Sequence, residues 1–259
     1  MTGRARAMAF KDHFSGHASA YAAHRPSGYP AALLDFLAGV APGRDLAWDC
    51  ATGSGQAAVL LAERFARVIA TDASAAQVAH AEPHARVEYR TSPAEASGLE
   101  AGSVDLVTVA QAYHWFDFDR FAEEVRRVVR PGGVVAVWCY NLLRTEPPID
   151  RVIDVFAEET VGAFWPPERR WVSEEYRTIP FPFPEIEAPP FLFTAAWDLP
   201  RLLAYVGTWS AIVRCRAATG RDPIAEVLPE LTAAWGDPNR EREIRWPLYV
   251  RIGRVGRAG

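Results

Sequence analysis

Apolar residues along this chain change their spacing several times, and each change marks an element. In "PAALLDFLA" (30–38), Leu33, Leu34 and Leu37 share one helical face, with Pro30 in the first turn. "PGRD" (42–45) breaks that helix, and "LAWDCA" follows as a short buried strand. "QAAVLLAERFA" (56–66) returns to helical spacing, with Ala58, Leu61 and Phe65 aligned. "RVIATD" (67–72) predicts a second strand, and Ser74 caps a helix in "AAQVAHA". "RVEYRT" (86–91) and "SVDLVTVAQ" (103–111) predict the third and fourth strands. "FDRFAEEVRRVVR" (118–130) predicts a helix; Pro131, Gly132 and Gly133 stop it and open a fifth strand, "VVAVWCY". Apolar strands alternating with helices predict the α/β class, with a parallel sheet covered on both faces.

After Asn141 the pattern loosens. "IDRVIDVFAEETVGAFW" has helical spacing, followed by the Pro-rich "WPPERRW" and "IPFPFPEIEAPP". "FLFTAAW" (191–197) predicts a strand, "LPRLLAYVGTWSAIVRCRAA" and "PIAEVLPELTAAWG" predict helices, and "EIRWPLYVRIGRV" (243–255) alternates as a closing strand does. The expected organisation is an N-terminal helical arm (1–45), a ligand-binding core (46–141), and late strands with helical insertions (142–259) within the same domain.

Composition narrows the classes. The chain has 259 residues, 49% of them apolar, and a net charge of −4, which disfavours a polyanion-binding surface and so a nucleic-acid partner. The three cysteines, Cys50, Cys139 and Cys215, are too widely spaced for a zinc knuckle or a redox pair and sit in apolar runs. Their sparse, odd count predicts a reducing, cytoplasmic setting. No stretch has the length and apolarity of a membrane span, and "MTGRARAMAFKDHF" lacks the apolar core of a secretion signal.

"WDCATGSGQ" (48–56) carries the first candidate chemistry. Gly53 and Gly55 stand where the first strand hands over to a helix, at the sheet edge where ligands bind. Asp72 ends the second strand, where a carboxylate can accept hydrogen bonds from a ribose diol. "GSGQAA" matches G-x-G-x-x-A, so an NAD(P)-dependent oxidoreductase is one reading. Against it, about fifty residues precede the first strand, and Asp49 gives a pyrophosphate site nothing. An acid there suits a ligand with an ammonium and a sulfonium, as in S-adenosylmethionine.

The ordered motifs resemble those of class I S-adenosylmethionine-dependent methyltransferases. "DCATGSGQ" is similar to that family's first motif, with Ala51 and Thr52 in place of its first glycine and the residue after it; "VIATDAS" is similar to the second. "SPAEA" (92–96) resembles the segment that meets the adenine, with Pro93 where the family often has Asp. "SVDLVTVAQAYHWFD" and "RPGGVVAVW" resemble the later motifs, and "TWSAIVR" and "WPLYVRIGR" extend the likeness towards a subgroup that includes trans-aconitate methyltransferase-like proteins. The resemblance implies a Rossmann-like, mostly parallel seven-stranded sheet flanked by helices, with helical insertions in the C-terminal half. It implies S-adenosyl-L-methionine as cofactor, held by Asp49, Ala51, Thr52, Gly53, Gly55, Asp72, Ala73, Gln77, Pro93, Ala94, Glu95, Gln111 and Ala112. It also implies an N-terminal arm closing over the donor, through Tyr21 and Arg25, and a monomer or homodimer acting on a small-molecule acceptor through oxygen, nitrogen or carboxylate.

His114, expected at the end of the fourth strand, is a candidate general base or a packed, hydrogen-bonded imidazole. His13, His17 and His24 loosely imitate a metal site, but no metal is expected. Trp138, Trp165, Trp171, Trp197 and Trp209 are candidates for an acceptor pocket or for core, and Arg144, Arg169, Arg170, Arg214 and Arg216 for contacts to an acidic acceptor. A further alternative is a non-catalytic protein that binds S-adenosylmethionine.

Overall fold

The computed structural model describes residues 28–256; Tyr21, Arg25, His13, His17 and His24 lie outside the described residues. The chain runs α1 (Ala31–Val40), β1 (Leu46–Cys50), α2 (Gln56–Ala62), β2 (Arg67–Asp72), α3 (Ala75–Ala79), β3 (Val87–Thr91), β4 (Val104–Ala110), α4 (Phe118–Val128) and β5 (Val129–Tyr140). Then come α5 (Pro147–Val155), α6 (Arg169–Ser173), β6 (Phe191–Trp197), α7 (Leu199–Val206), α8 (Ser210–Thr219), α9 (Pro223–Trp235) and β7 (Arg242–Arg254). One seven-stranded sheet has the order β3-β2-β1-β4-β5-β7-β6. The first five strands are parallel, and β7 is antiparallel to both β5 and β6.

Strand alternation splits the core into two layers. Ala136, Trp138 and Tyr140 of β5 face a cluster that includes Leu33, Leu37, Leu61, Tyr205 and Trp246. Val135, Val137 and Cys139 face the opposite cluster, with Trp48, Phe121, Val125 and Tyr176. All three cysteines are buried and free. Among the described residues no helix is long and apolar enough to cross a membrane.

Three boundaries differ from the pattern reading. The helix expected over 56–66 ends at Ala62, and Arg64 and Phe65 both fold back on the Leu61 carbonyl. The helix expected to reach residue 130 ends at Val128, and β5 begins at Val129, before the Pro-Gly-Gly rather than after it. Val129 pairs with Val104, and the register then jumps so that Val134 pairs with Leu106. Pro131 to Gly133 are absorbed in that irregularity, where Gly132 takes φ +80°. The Pro-rich stretch "WPPERRW" runs into a helix, α6, over residues 169–173.

Candidate functional site

The C-terminal ends of β1, β2 and β3 are tied by main-chain and carboxylate hydrogen bonds into one lip. Thr52 N–H donates to the Thr71 carbonyl at 2.9 Å, and Ser92 N–H to the Asp72 carbonyl at 3.0 Å. The Asp72 side chain joins the turns: Gly53 N–H donates to Oδ2 at 2.9 Å and Ser74 N–H to Oδ1 at 2.8 Å. A carboxylate oxygen can accept more than one hydrogen bond, which is the chemistry a ribose diol needs. Ala73 is half-buried on this lip, and buried Gln77 donates its N–H to the Ser74 hydroxyl that caps α3.

The two glycines of the first turn do different things. Gly53 has φ +57°, and nothing lies within 4 Å of where a Cβ would stand. Gly55 has φ +87°, but a Cβ there would collide with the Tyr89 hydroxyl. That hydroxyl donates to the Glu82 carbonyl at 2.6 Å. The space beside Gly55 is therefore filled by the protein, and the open side of the turn is at Gly53, next to Asp72. An open backbone edge beside a carboxylate fits the sugar of a nucleoside.

Asp49 is buried beneath this turn. Its carboxylate accepts the Thr52 hydroxyl at 2.5 Å and the Thr108 hydroxyl at 2.7 Å, linking β1 to β4. Burial raises its pKa from 3.8 to about 6, only partly offset by the two hydroxyl bonds. At neutral pH it is a largely ionised acid whose charge is poorly solvated, and a nearby cation would stabilise it. Further along, Pro93 is exposed, Ala94 is buried, and Glu95 accepts the Asp117 N–H at 3.1 Å, fixing the loop after β3 to the start of α4.

At the end of β4 the backbone turns sharply, and Gln111 has φ +56°. Its side-chain amide pairs with Tyr140 as a strand would: Oε1 accepts the Tyr140 N–H at 2.8 Å, and Nε2 donates to the Tyr140 carbonyl at 3.0 Å. Ala112 follows, and its carbonyl accepts the Trp115 N–H at 3.0 Å, closing the short turn of 3-10 helix that carries His114. His114 is buried, and its Nδ1 lies 2.7 Å from the Tyr176 hydroxyl. Burial, with a smaller contribution from the Arg169 charge, lowers its pKa to about 3, so the imidazole is neutral at physiological pH. A base that weak takes a proton poorly.

Gln111 and His114 form one end of a cavity of about 90 Å³. Tyr140, Asn141 and Leu142 line it from the end of β5; Trp165, Pro166, Arg169 and Val172 from the segment around α6; and Tyr205, Thr208, Trp209 and Ser210 from the α7–α8 corner. Arg169 is the charged side chain in this wall; it bonds the Asn141 side-chain oxygen and lies 4.8 Å over the Trp165 ring. A π-helical turn at Phe156–Thr160 positions that ring, because the Ala157 carbonyl accepts the Trp165 indole N–H at 2.9 Å. Trp209 packs against Trp165 at 5.7 Å.

The structure sorts the sequence candidates for the acceptor side. Trp165 and Trp209 line the cavity, whereas Trp138 and Trp197 are core and Trp171 packs on Phe118. Arg144 pairs with Asp154 and Arg216 with Asp222, Arg170 lies over Trp171, and Arg214 is exposed, leaving Arg169 as the member that reaches the cavity. Tyr140, Asn141, Thr208 and Tyr176 were not singled out from sequence, because no spacing rule connects residues brought together from the end of β5, the α7–α8 corner and the segment after α6.

Comparison with known proteins agrees with this geometry. A family described as a methyltransferase domain matches residues 48–137. A Dictyostelium discoideum protein assigned as a methyltransferase is 33% identical over 217 residues, 82% of each chain. A Mycobacterium tuberculosis protein named as an uncharacterized methyltransferase is 39% identical over 129 residues, 48% of this chain and 51% of its own. A solved structure from Anaeromyxobacter dehalogenans, assigned as a type II methyltransferase, shares 49% identity with TM-score 0.85, covering 90% of this chain and 99% of that one. With its strand order and the turn between Asp49 and Gly55, this chain belongs to the class I S-adenosylmethionine-dependent methyltransferase family.

Proposed function

We propose that the chain methylates a small molecule held in the cavity between β5, α6 and the α7–α8 corner. The observation that carries this reading is that the cavity opens against Gln111 and His114, at the end of the strand next to the β1–β2 lip. S-adenosylmethionine supplies an electrophilic methyl on a sulfonium. In this reading Asp72 receives its ribose hydroxyls beside the open edge of Gly53, and the turn from Ala51 to Gly55 takes the amino-acid end with Asp49 behind it. Ala73, Gln77 and the stretch Pro93–Glu95 surround the base, and Gln111 and Ala112 border the reacting end. The second half of the chain chooses the acceptor. Its aromatic wall and Arg169 favour a flat, largely apolar acceptor with a polar or anionic end. Holding nucleophile and methyl in line then supplies most of the acceleration.

Calorimetry with S-adenosylhomocysteine and with NADH separates this reading from the oxidoreductase one. Binding of the former with no binding of the latter is expected, and the reverse ends the proposal. A screen with methyl-labelled donor against small acids, phenols and amines then separates an enzyme from a binding protein. Labelled product is expected, and tight donor binding with no product across the screen favours a sensor or scaffold.

A further inference from the structure

We propose that Tyr176 is a positioning residue that locks His114 as a neutral Nε2–H donor facing the cavity. The argument begins with one proton. Tyr176 is fully buried, and among the described residues its hydroxyl bonds only to His114: to Nδ1 at 2.7 Å and to the backbone N–H, which can only donate, so Nδ1 is the one acceptor within reach of the phenol proton. A buried phenol keeps its proton, and burial drives the Tyr176 pKa well above the usual value. If Nδ1 carried the imidazole proton, both groups would point a hydrogen at each other or the phenol proton would be stranded in an apolar core. Leaving a buried donor unmade is the costly outcome. The phenol therefore donates, Nδ1 accepts, and the imidazole proton sits on Nε2.

The surroundings favour the same state. Tyr113 packs edge-on against Tyr176 at 6.3 Å, Cys139 is a neutral buried thiol, and Arg169 places positive charge on the cavity side. None of these facing groups offers His114 a negative charge that would favour an imidazolium. His114 lines the cavity, and its Nε2 has no hydrogen-bond partner among the described residues.

Tyr176 is also held in place by unusual means. Glu175 and Tyr176 have φ of +60° and +59°, the left-handed region that residues with a Cβ seldom adopt. Tyr176 N–H closes onto the Trp171 carbonyl at 2.9 Å. Arg251 of β7 then reaches across to the carbonyls of Tyr176 and Ile179, at 3.3 and 2.7 Å, while pairing with Glu185. Backbone held in a sparsely populated region by a dedicated clamp is the pattern expected where one side-chain direction matters. Only the identity of what receives the Nε2–H rests on the methyltransferase reading; in that reading it is the acceptor or its leaving proton's former site.

Nitrogen NMR of the full chain labelled in histidine, with S-adenosylhomocysteine added, tests this. The His114 signals are identified by their loss in His114→Gln. At pH 7 we expect one neutral tautomer with the proton on Nε2. In Tyr176→Phe we expect a mixture of both tautomers, with the far-ultraviolet circular dichroism unchanged. A proton on Nδ1 in the native protein, an imidazolium at pH 7, or a folded Tyr176→Phe that keeps the single tautomer overturns the proposal. Should that variant fail to fold, the native spectrum still decides the tautomer. Failure of S-adenosylhomocysteine to bind defeats the methyltransferase reading separately, since the spectrum is readable without it.

Discussion

The lip over β1–β3 and the cavity beyond β5 are built in opposite ways. The lip is made by main chain: Thr52, Gly53, Ser74 and Ser92 all donate backbone N–H groups within it, and its side chains are few and acidic. The cavity is made by side chains, five of them Trp or Tyr, delivered from the turn after β4, the end of β5, the segment around α6 and the α7–α8 corner. A ligand shared by a whole family can be met by backbone that any small residue supplies. A ligand peculiar to one member has to be met by side chains, which change freely. In our reading the contrast assigns the two halves of the reaction to the two halves of the chain, and it can be broken by experiment.

The largest expected effect separates the halves outright. Asp72→Ala removes the group that receives two backbone N–H bonds and, in our reading, the ribose hydroxyls. Charge-assisted bonds contribute roughly 1.5–3 kcal/mol each, so S-adenosylhomocysteine should bind at least ~100-fold more weakly. Arg169→Gln, beyond the end of β5, should change that affinity by less than about threefold, while altering which acceptors are used. Calorimetry on both variants checks this. If Arg169→Gln weakened the donor product as much as Asp72→Ala, cavity and lip would be one site and the contrast would fail.

How much of each region could be read from sequence follows from how it is built. The lip was legible because the constraints on it are local: "ATGSGQ" after an apolar strand and Asp72 at the end of the next one identify a turn and its acid within one βαβ unit. Even so, sequence could not tell Gly53 from Gly55. Only the fold shows that Tyr89, thirty-odd residues later, takes the space beside Gly55. β6 was readable to the residue because "FLFTAAW" lies between a Pro-rich stretch and a helix cap at Asp198. The cavity was not readable, because Asn141, Arg169, Thr208 and Trp209 are adjacent only after the sheet closes. Tyr176 was hidden for the same reason, 62 residues from the histidine that it contacts.

A smaller effect sharpens the electrostatics of the lip. Burial lifts the Asp49 pKa from 3.8 to about 6, so the folded protein holds this proton more tightly than the unfolded chain does. The folded state is thus favoured by this group below pH 3.8, and the benefit is lost as pH rises through about 6. A shift of this size corresponds to roughly 3 kcal/mol, so Asp49→Asn should raise stability at pH 7. A ligand carrying an ammonium reverses the preference, since it binds best to the ionised acid. S-adenosylhomocysteine affinity should therefore rise as pH increases from 5 to 7, by up to about tenfold per unit below the folded pKa. Titration calorimetry at several pH values reads this directly. A pH-independent affinity, or an Asp49→Asn variant that binds as well as the native chain, would place the ligand's charge away from Asp49.

The smallest effect concerns Ala51, where the family's first motif usually has glycine. Ala51 has φ +55°, and an L residue in that region carries a strain of about 1 kcal/mol. Ala51→Gly relieves it, but glycine also gains freedom in the unfolded chain, which returns roughly 0.4–1 kcal/mol. The net stabilisation is expected to be a few tenths of a kcal/mol, raising Tm by about 1 °C in a chain of this length. Scanning calorimetry on the two proteins reads the stability, and the donor-product affinity reads the rest. If the strained alanine simply stands in for glycine, affinity will not move when Tm rises. If affinity falls while Tm rises, the alanine is holding the turn in its binding shape. In that case even the main-chain half of the site depends on one side chain, a methyl group, and the division between lip and cavity is less complete than the hydrogen bonds imply.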